Sequence, residues 1–314
     1  MGRSLDLARE DSVASAAPDF AELKQAMGAA GKAVDEVLEQ QLPKPHGLQS
    51  RVHQAMQYAV FAGGKRLRPF LVLSCANLFN VERLRALRVA AAIETVHTYS
   101  LVHDDLPCMD NDTLRRGRPT VHVAFDEATA MLAGDALLTV AFEMLCAPDT
   151  HPSAEIRCQL AVGLAEAAGS EGMIGGQMVD MQAMNRSLDS GDIVMLQRMK
   201  TGALFEFSCQ AGAILGQAGP EHQSRLKSYA RDFGLVYQIT DDLLDVMGSE
   251  EKAGKAVGKD KERGKATLVS RYGVKGAREE AERLAGRAAA ALEPYGQKAA
   301  ALRDLAFFLL DSES

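Results

Sequence analysis

Tryptophan is absent, and aromatic residues make up only 5% of the 314 positions. β-branched residues rarely alternate along the chain. Sheets draw on both kinds of side chain, so this poverty argues against strands. The five cysteines, Cys75, Cys108, Cys146, Cys158 and Cys209, are odd in number and include no C-x-x-C pair. That excludes a disulfide framework and fits free thiols in a reducing compartment. No run approaches the roughly 18 apolar residues of a membrane span. The opening MGRSLDLARED lacks the continuous apolar stretch of a secretory signal. Asp6 stands where a myristoylation motif has Ser or Thr. A soluble, cytoplasmic protein is expected. An excess of positive charge is lacking too: the net charge of −7 excludes a chain built to coat nucleic acid. Any anion site must come from a local cluster of Lys and Arg.

What is there is helix former. Ala, Leu, Glu, Lys, Arg, Gln and Met dominate beyond Pro18. Residues 1–18 read as a flexible leader and 19–314 as a single domain. Apolar residues recur at helical spacing over 20–40, 48–62, 69–78, 83–105, 129–145, 156–168, 195–215, 222–247, 275–292 and 297–310. The breaks between them hold turn residues such as Gly63-Gly64, Pro148-Asp149, Gly219-Pro220 and Gly248-Ser249. The fold class expected is all-α, a bundle of about ten or more helices around a central cleft.

Two aspartate clusters interrupt this apolar background. Asp241, Asp242 and Asp245 sit inside the helical pattern FGLVYQITDDLLDVM. Asp241 and Asp245 share a face, about 6 Å apart along the axis. Like charges so placed destabilise a helix unless a cation lies between them, and buried charge must be paired or metal-bound. Hard oxygen donors of this kind suit Mg²⁺, which takes one or two carboxylates plus substrate phosphates. Asp104, Asp105 and Asp110 form the other cluster, HDDLPCMDND. In an unbroken helix Asp110 would face elsewhere, but Pro107 must bend or end the helix and so lets Asp110 converge on Asp104. A solvated helix end would account for either cluster alone; the pair, both in apolar surroundings, points to metal and phosphate.

The basic residues that answer them are local. Gly63-Gly64-Lys65-Arg66-Leu67-Arg68-Pro69 combines backbone freedom with Lys65 and Arg68 at a helix start, where phosphate binds well. Leu114-Arg115-Arg116-Gly117-Arg118-Pro119-Thr120 follows the first cluster. Lys200-Thr201-Gly202 lies in a Met- and Phe-rich helix, and Lys255 and Lys265 follow the second cluster. The last stretch is not a P-loop: five residues instead of four separate Gly258 from Gly264-Lys265, and Ala266 replaces Ser or Thr. His97, His103 and His122 could suggest zinc, but no H-E-x-x-H or Cys/His set supports it. His97, seven residues before Asp104, is on the same helix face, as a phosphate-side donor or a satisfied polar group.

Taken together, GGKRLRP, HDDLPCMDND, LRRGRPT, GGQMVD (175–180), KTG and QITDDLLD resemble the trans-prenyl diphosphate synthases, in family order, over about residues 20–310. The resemblance implies the isoprenoid synthase bundle, usually a homodimer, joining isopentenyl diphosphate to an allylic diphosphate with several Mg²⁺ ions. It implies Asp104, Asp110 and Asp241 as direct metal ligands, supported by Asp105, Asp242 and Asp245. It assigns Lys65, Arg68, His97 and Arg116 to isopentenyl diphosphate, Arg115, Lys200, Gln238, Lys255 and Lys265 to the allylic diphosphate, and Gly64 to substrate binding in general. Thr201 would stabilise the cation, and Gln177 and Asp180 form a polar pair near the cleft. Tyr99 lies about 7.5 Å below Asp104 along the helix. With its neighbour Ser100 it is the expected ruler of product length. An aromatic there, with Pro107 and Cys108, resembles bacterial farnesyl diphosphate synthases and implies a C15 product, with C20 as the alternative. A terpene cyclase would not need Lys65, Arg68 and Arg116, and a non-catalytic regulatory subunit would not need both aspartate motifs.

Overall fold

The computed structural model describes residues 20–183, 189–247 and 267–311, and the expected leader falls outside them. In chain order it runs through α1 (Ala21–Gln41), α2 (Ser50–Val60), α3 (Leu67–Leu78) and α4 (Arg83–Asp104). A hairpin of β1 (Leu114–Arg115) and β2 (Arg118–Pro119) follows. Next come α5 (Val121–Ala124), α6 (Glu127–Cys146), α7 (Ala154–Ala168), α8 (Met173–Ala183) and α9 (Ser190–Gln197). A π turn (Arg198–Gly202) leads into α10 (Ala203–Leu215), then α11 (Pro220–Met247) and α12 (Leu268–Ala291). A 3₁₀ segment (Glu293–Ala299) precedes α13 (Ala300–Asp311).

α3 and α10 are apolar on almost every side, and both are buried. They can meet closely because residue 212 is glycine: a Cβ there would lie 2.5 Å from the Ala76 nitrogen. Two apolar clusters share this pair. Val72, Ala76, Leu204, Phe207 and Ala211 join α2, α4, α6 and α7 on one side. Phe70, Leu71, Cys75, Phe205 and Cys209 join α11, α12 and α13 on the other. α4 is buried from Ala86 to Val96, so its far end delivers Asp104 from a rigid core.

The expected helices form; the hairpin and α5 were unforeseen, and the helices differ at four further places. The segment expected as one helix over 195–215 is split by the π turn. α8, unforeseen, forms despite Gly175 and Gly176, because a Cβ on Gly176 would meet the Lys200 nitrogen at 2.2 Å; the glycine is there for close packing. α12 starts at a Thr267–Ser270 capping box, seven residues before the expected start, and a kink at Gly273 (φ +71°) hides the early periodicity. Contrary to the expectation of no such run, α6 is long and apolar enough to cross a membrane. Its inner residues, among them Ala133, Leu137 and Ala141, instead pack in the core with α4.

Candidate active site

The last turn of α4 ends at Asp104, as Pro107 demands, and the chain then doubles back. The Asp110 amide donates to the Asp104 carbonyl at 2.8 Å, and the Met109 amide to the Leu106 carbonyl at 2.9 Å. Asp104 and Asp110 thereby line one cavity of about 680 Å³, together with Asp241, Asp242 and Asp245 of α11. Asp105 points away from it. It is 3% exposed, and both its oxygens accept from Arg115, at 2.6 to 2.9 Å. A bidentate guanidinium pair of this kind holds Arg115 in a fixed orientation at the cavity wall.

Burial raises the Asp104 carboxyl to about 6; Lys200 pulls it back down, while Asp110 pushes it up. Among the described residues no three His, Cys, Asp or Glu side chains gather closely enough to hold a metal by themselves.

The cationic wall is built on Arg66, which the sequence reading passed over. Arg66 adopts a left-handed backbone (φ +48°) at the start of α3, and its guanidinium is buried. It pairs with Glu94 at 2.7 Å and Asp35 at 2.8 Å, and it donates to the Val60 carbonyl at 2.7 Å. This ties the Gly63-Gly64 loop to α4 and sets the direction of Arg68. Arg68 reaches the cavity 4.4 Å above the Phe205 ring, with its Nε buried and without a partner among the described residues. Lys65 and Gly64 do not line the cavity, and Lys65 is exposed.

The LRRGRPT segment is a two-residue hairpin. Arg115 pairs with Arg118, and both turn residues have positive φ, Arg116 at +53° and Gly117 at +74°. A type I′ turn demands such angles. It carries Arg116 onto the Gly63-Gly64 loop, where Nη1 donates to the Gly63 carbonyl. A Cβ on Gly64 would lie 2.6 Å from the Arg116 guanidinium. His97 lines the same wall. Burial first, then the guanidiniums of Arg68, Arg116, Arg115 and Arg66, hold its imidazole well below the usual value, so it is neutral.

Lys200 and Thr201 ride on the π turn, a local distortion that often marks functional positions. Lys200 Nζ meets Asp180 of α8 at 2.5 Å. Thr201 Oγ1 donates to Gln238 Oε1 at 3.2 Å, and Gln238 Nε2 donates to Asp242 at 2.9 Å. Gln177 also lines the cavity, its Oε1 buried without a partner among the described residues. Gln197, a further missed residue, donates to Asp242 at 3.4 Å. Lys255 and Lys265 lie outside the described residues.

The cavity lining is apolar elsewhere, with Met109, Met131, Met173 and Met178. Tyr99 is 4% exposed and its ring meets His103 edge-on at 5.7 Å. Its hydroxyl has no partner among the described residues, and burial pushes it up to about 12. Ser100 lines the cavity beside it and donates to the His97 carbonyl at 2.9 Å.

The chain is 44% identical over 251 residues to the farnesyl diphosphate synthase of Geobacillus stearothermophilus, covering 79% of this chain and 84% of that one. It is 40% identical over 281 residues to the heterodimeric geranylgeranyl pyrophosphate synthase large subunit 1 of Arabidopsis thaliana, covering 88% and 75%. An apo structure of an FPP/GFPP synthase from Zymomonas mobilis superposes with a TM-score of 0.86 at 45% identity, over 93% of this chain and all of that one. Residues 49–304 match the polyprenyl synthetase model, and with the two aspartate clusters and the arginine wall in one cavity, the chain belongs to the polyprenyl synthetase family.

Proposed function

We propose that this chain condenses isopentenyl diphosphate with dimethylallyl diphosphate, and then with geranyl diphosphate, to give farnesyl diphosphate. The observation that carries this reading is the presence of two cation sets in one cavity. Arg68, Arg116 and neutral His97 gather at the Gly63-Gly64 loop; Arg115 and Lys200 accompany the aspartates. Two diphosphates call for two sets, and two diphosphates mean condensation instead of hydrolysis. Both aspartate clusters line that cavity, which a non-catalytic subunit would not need.

In this reading Asp104, Asp110 and Asp241 hold Mg²⁺. Asp105 and Asp242 support them, the first engaged by Arg115 and the second by two glutamines; Asp245 supports them from the next turn of α11. Bound there, the metal supplies charge neutralisation to the leaving diphosphate. Arg115 and Lys200, with Lys255 and Lys265, hold the allylic diphosphate while its C–O bond ionises. Asp180 and Gln177 keep Lys200 and the cleft wall polar. The apolar lining keeps water from the cation, and the Thr201 oxygens face it. Arg68, Arg116 and His97 hold isopentenyl diphosphate with its double bond toward the cation, and Lys65, exposed at the Gly63-Gly64 loop outside the cavity lining, must turn in to join them. The proton lost after C–C bond formation leaves with the departing diphosphate.

Tyr99, buried and rigid beneath Asp104, closes the product tail at C15. The farnesyl diphosphate synthase relative supports that length, and the geranylgeranyl relative keeps C20 as the competing product. Two copies of the chain are proposed to pair, in the cytoplasm. Chromatography of products from dimethylallyl and isopentenyl diphosphates with Mg²⁺ is the test: C15 should dominate, and a dominant C20 product would refute the assigned length.

A further inference from the structure

We infer that Gln197 is a positioning residue that locks the second aspartate cluster to the Lys200 turn, a role that rests on the prenyl-transfer reading above. Gln197 is the last residue of α9, directly before the π turn, and is 7% exposed. Its Nε2 donates to one oxygen of Asp242 at 3.4 Å, and Gln238 Nε2 donates to the other at 2.9 Å. Gln238 Oε1 in turn accepts from Thr201 Oγ1 at 3.2 Å. The four side chains close a ladder. Residues 197 and 201 bracket the stretch that carries Lys200, and residues 238 and 242 bracket the turn of α11 that carries Asp241. Each end of one stretch is tied to an end of the other, so Lys200 and Asp241 move together.

Two further observations set Gln197 apart. It lines the main cavity and also a second one of about 330 Å³ behind the π turn, and among the described residues no other lines both. It stands where the two cavities adjoin, with Lys200 and Thr201 on one side of the turn and Arg198, Met199 and Gly202 on the other. Its Oε1 is buried with no partner among the described residues. A buried acceptor left without a partner is destabilising, and a methionine of the same length would pack there without that penalty. The glutamine is accounted for by the N–H it aims at Asp242.

The test uses Gln197→Met, which keeps the length and loses the donor, and Gln197→Glu, which sets a second carboxylate against Asp242. Rates are measured with geranyl and isopentenyl diphosphates across a Mg²⁺ titration, alongside thermal unfolding. Gln197→Met should unfold near the wild-type temperature, because relief of the unpaired Oε1 offsets the lost hydrogen bond to Asp242. Its half-saturating Mg²⁺ and its KM for geranyl diphosphate should rise about tenfold, the size of one hydrogen bond to a charged group. Its KM for isopentenyl diphosphate should stay put. Gln197→Glu should lose more. In an Asp242→Asn background Gln197→Met should cost clearly less, because the N–H then meets at most a neutral amide oxygen. Wild-type Mg²⁺ and geranyl constants in Gln197→Met, an equal loss in the Asp242→Asn background, or failure of both variants to fold would each overturn the role. A wild-type chain that forms no prenyl diphosphate would instead sink the assigned function.

Discussion

Asp104 and His97 lie seven residues apart on α4, and burial drives both toward their neutral forms. For the carboxylate that means a value raised to about 6, and for the imidazole one well below its usual range. The consequences differ. As pH falls through about 6, Asp104 gains a proton and loses the charge a cation would bind. Half-saturating Mg²⁺ should therefore rise between pH 7.5 and pH 5.5. His97 is neutral throughout that window, so the KM for isopentenyl diphosphate should not track it. A Mg²⁺ requirement that stays flat across the window would exclude titration of Asp104. Tyr99 permits a sharper separation. Its hydroxyl is buried without a partner among the described residues, so Tyr99→Phe should fold as stably and still make C15. Tyr99→Ala removes the ring and should yield C20 or longer, read by product chromatography; unchanged C15 would remove Tyr99 as the floor. The aspartates, Arg68 and Tyr99 were legible because a charge or a bulky ring in an apolar helix is conspicuous. Arg66 was not: inside the basic run Lys65-Arg66-Leu67-Arg68 nothing marks the one guanidinium that turns inward to Glu94. Gln197 was equally silent, since its partner is 45 residues away.

At the scale of elements, glycines decide how the two cation sets are aimed. Gly64 has φ +132° and lies under Arg116; Gly176 lies against the backbone of Lys200. Gly64→Ala brings both backbone strain and a clash with a guanidinium tethered to Gly63, so it should raise the KM for isopentenyl diphosphate. Gly176→Ala must shift α8 or the π turn, since backbone atoms are what its Cβ would meet. It should lower kcat and raise the KM for geranyl diphosphate. A displacement near 1 Å at a reacting group costs about 10²-fold, so losses of tenfold or more are expected in each. Steady-state kinetics with each substrate varied in turn separates the two patterns; the same pattern from both variants would mean the two sets are not distinct. The long helices were readable from apolar period. α8 and the hairpin were not, because glycine pairs read as breaks and a two-residue strand is too short to alternate. Long-range packing, not local propensity, makes both elements.

At the scale of the whole molecule, α6 is the element whose outer side remains to be explained. Its inner face is covered by α4, which leaves it unavailable to cross a bilayer. Outward it presents Ala128, Met131 and Leu132, with Leu132 58% exposed; the exposed Asp135 follows on the same face, and Leu138 and Phe142 beyond it are half-buried against the core. Single exposed apolar residues are ordinary, but Ala128, Met131 and Leu132 form a short row that offers a contact surface at one end of the helix. The row could not be seen in the sequence, where inner and outer apolar residues of α6 merge into one run. Only the placement of α4 tells them apart. A second copy of the chain is the occupant that the family resemblance implies, and a two-fold contact would set one α6 against the other. Met131 belongs to this face and also lines the cavity, so the partner would close the wall around the growing product. Sedimentation should give a dimer at micromolar concentration. Leu132→Asp buries an unpaired charge at the centre of that contact and should give a folded monomer. Because the cavity wall at Met131 then opens to water, the monomer should also release a broader mixture of chain lengths. A wild-type monomer, or a Leu132→Asp protein that remains dimeric, would place the contact elsewhere.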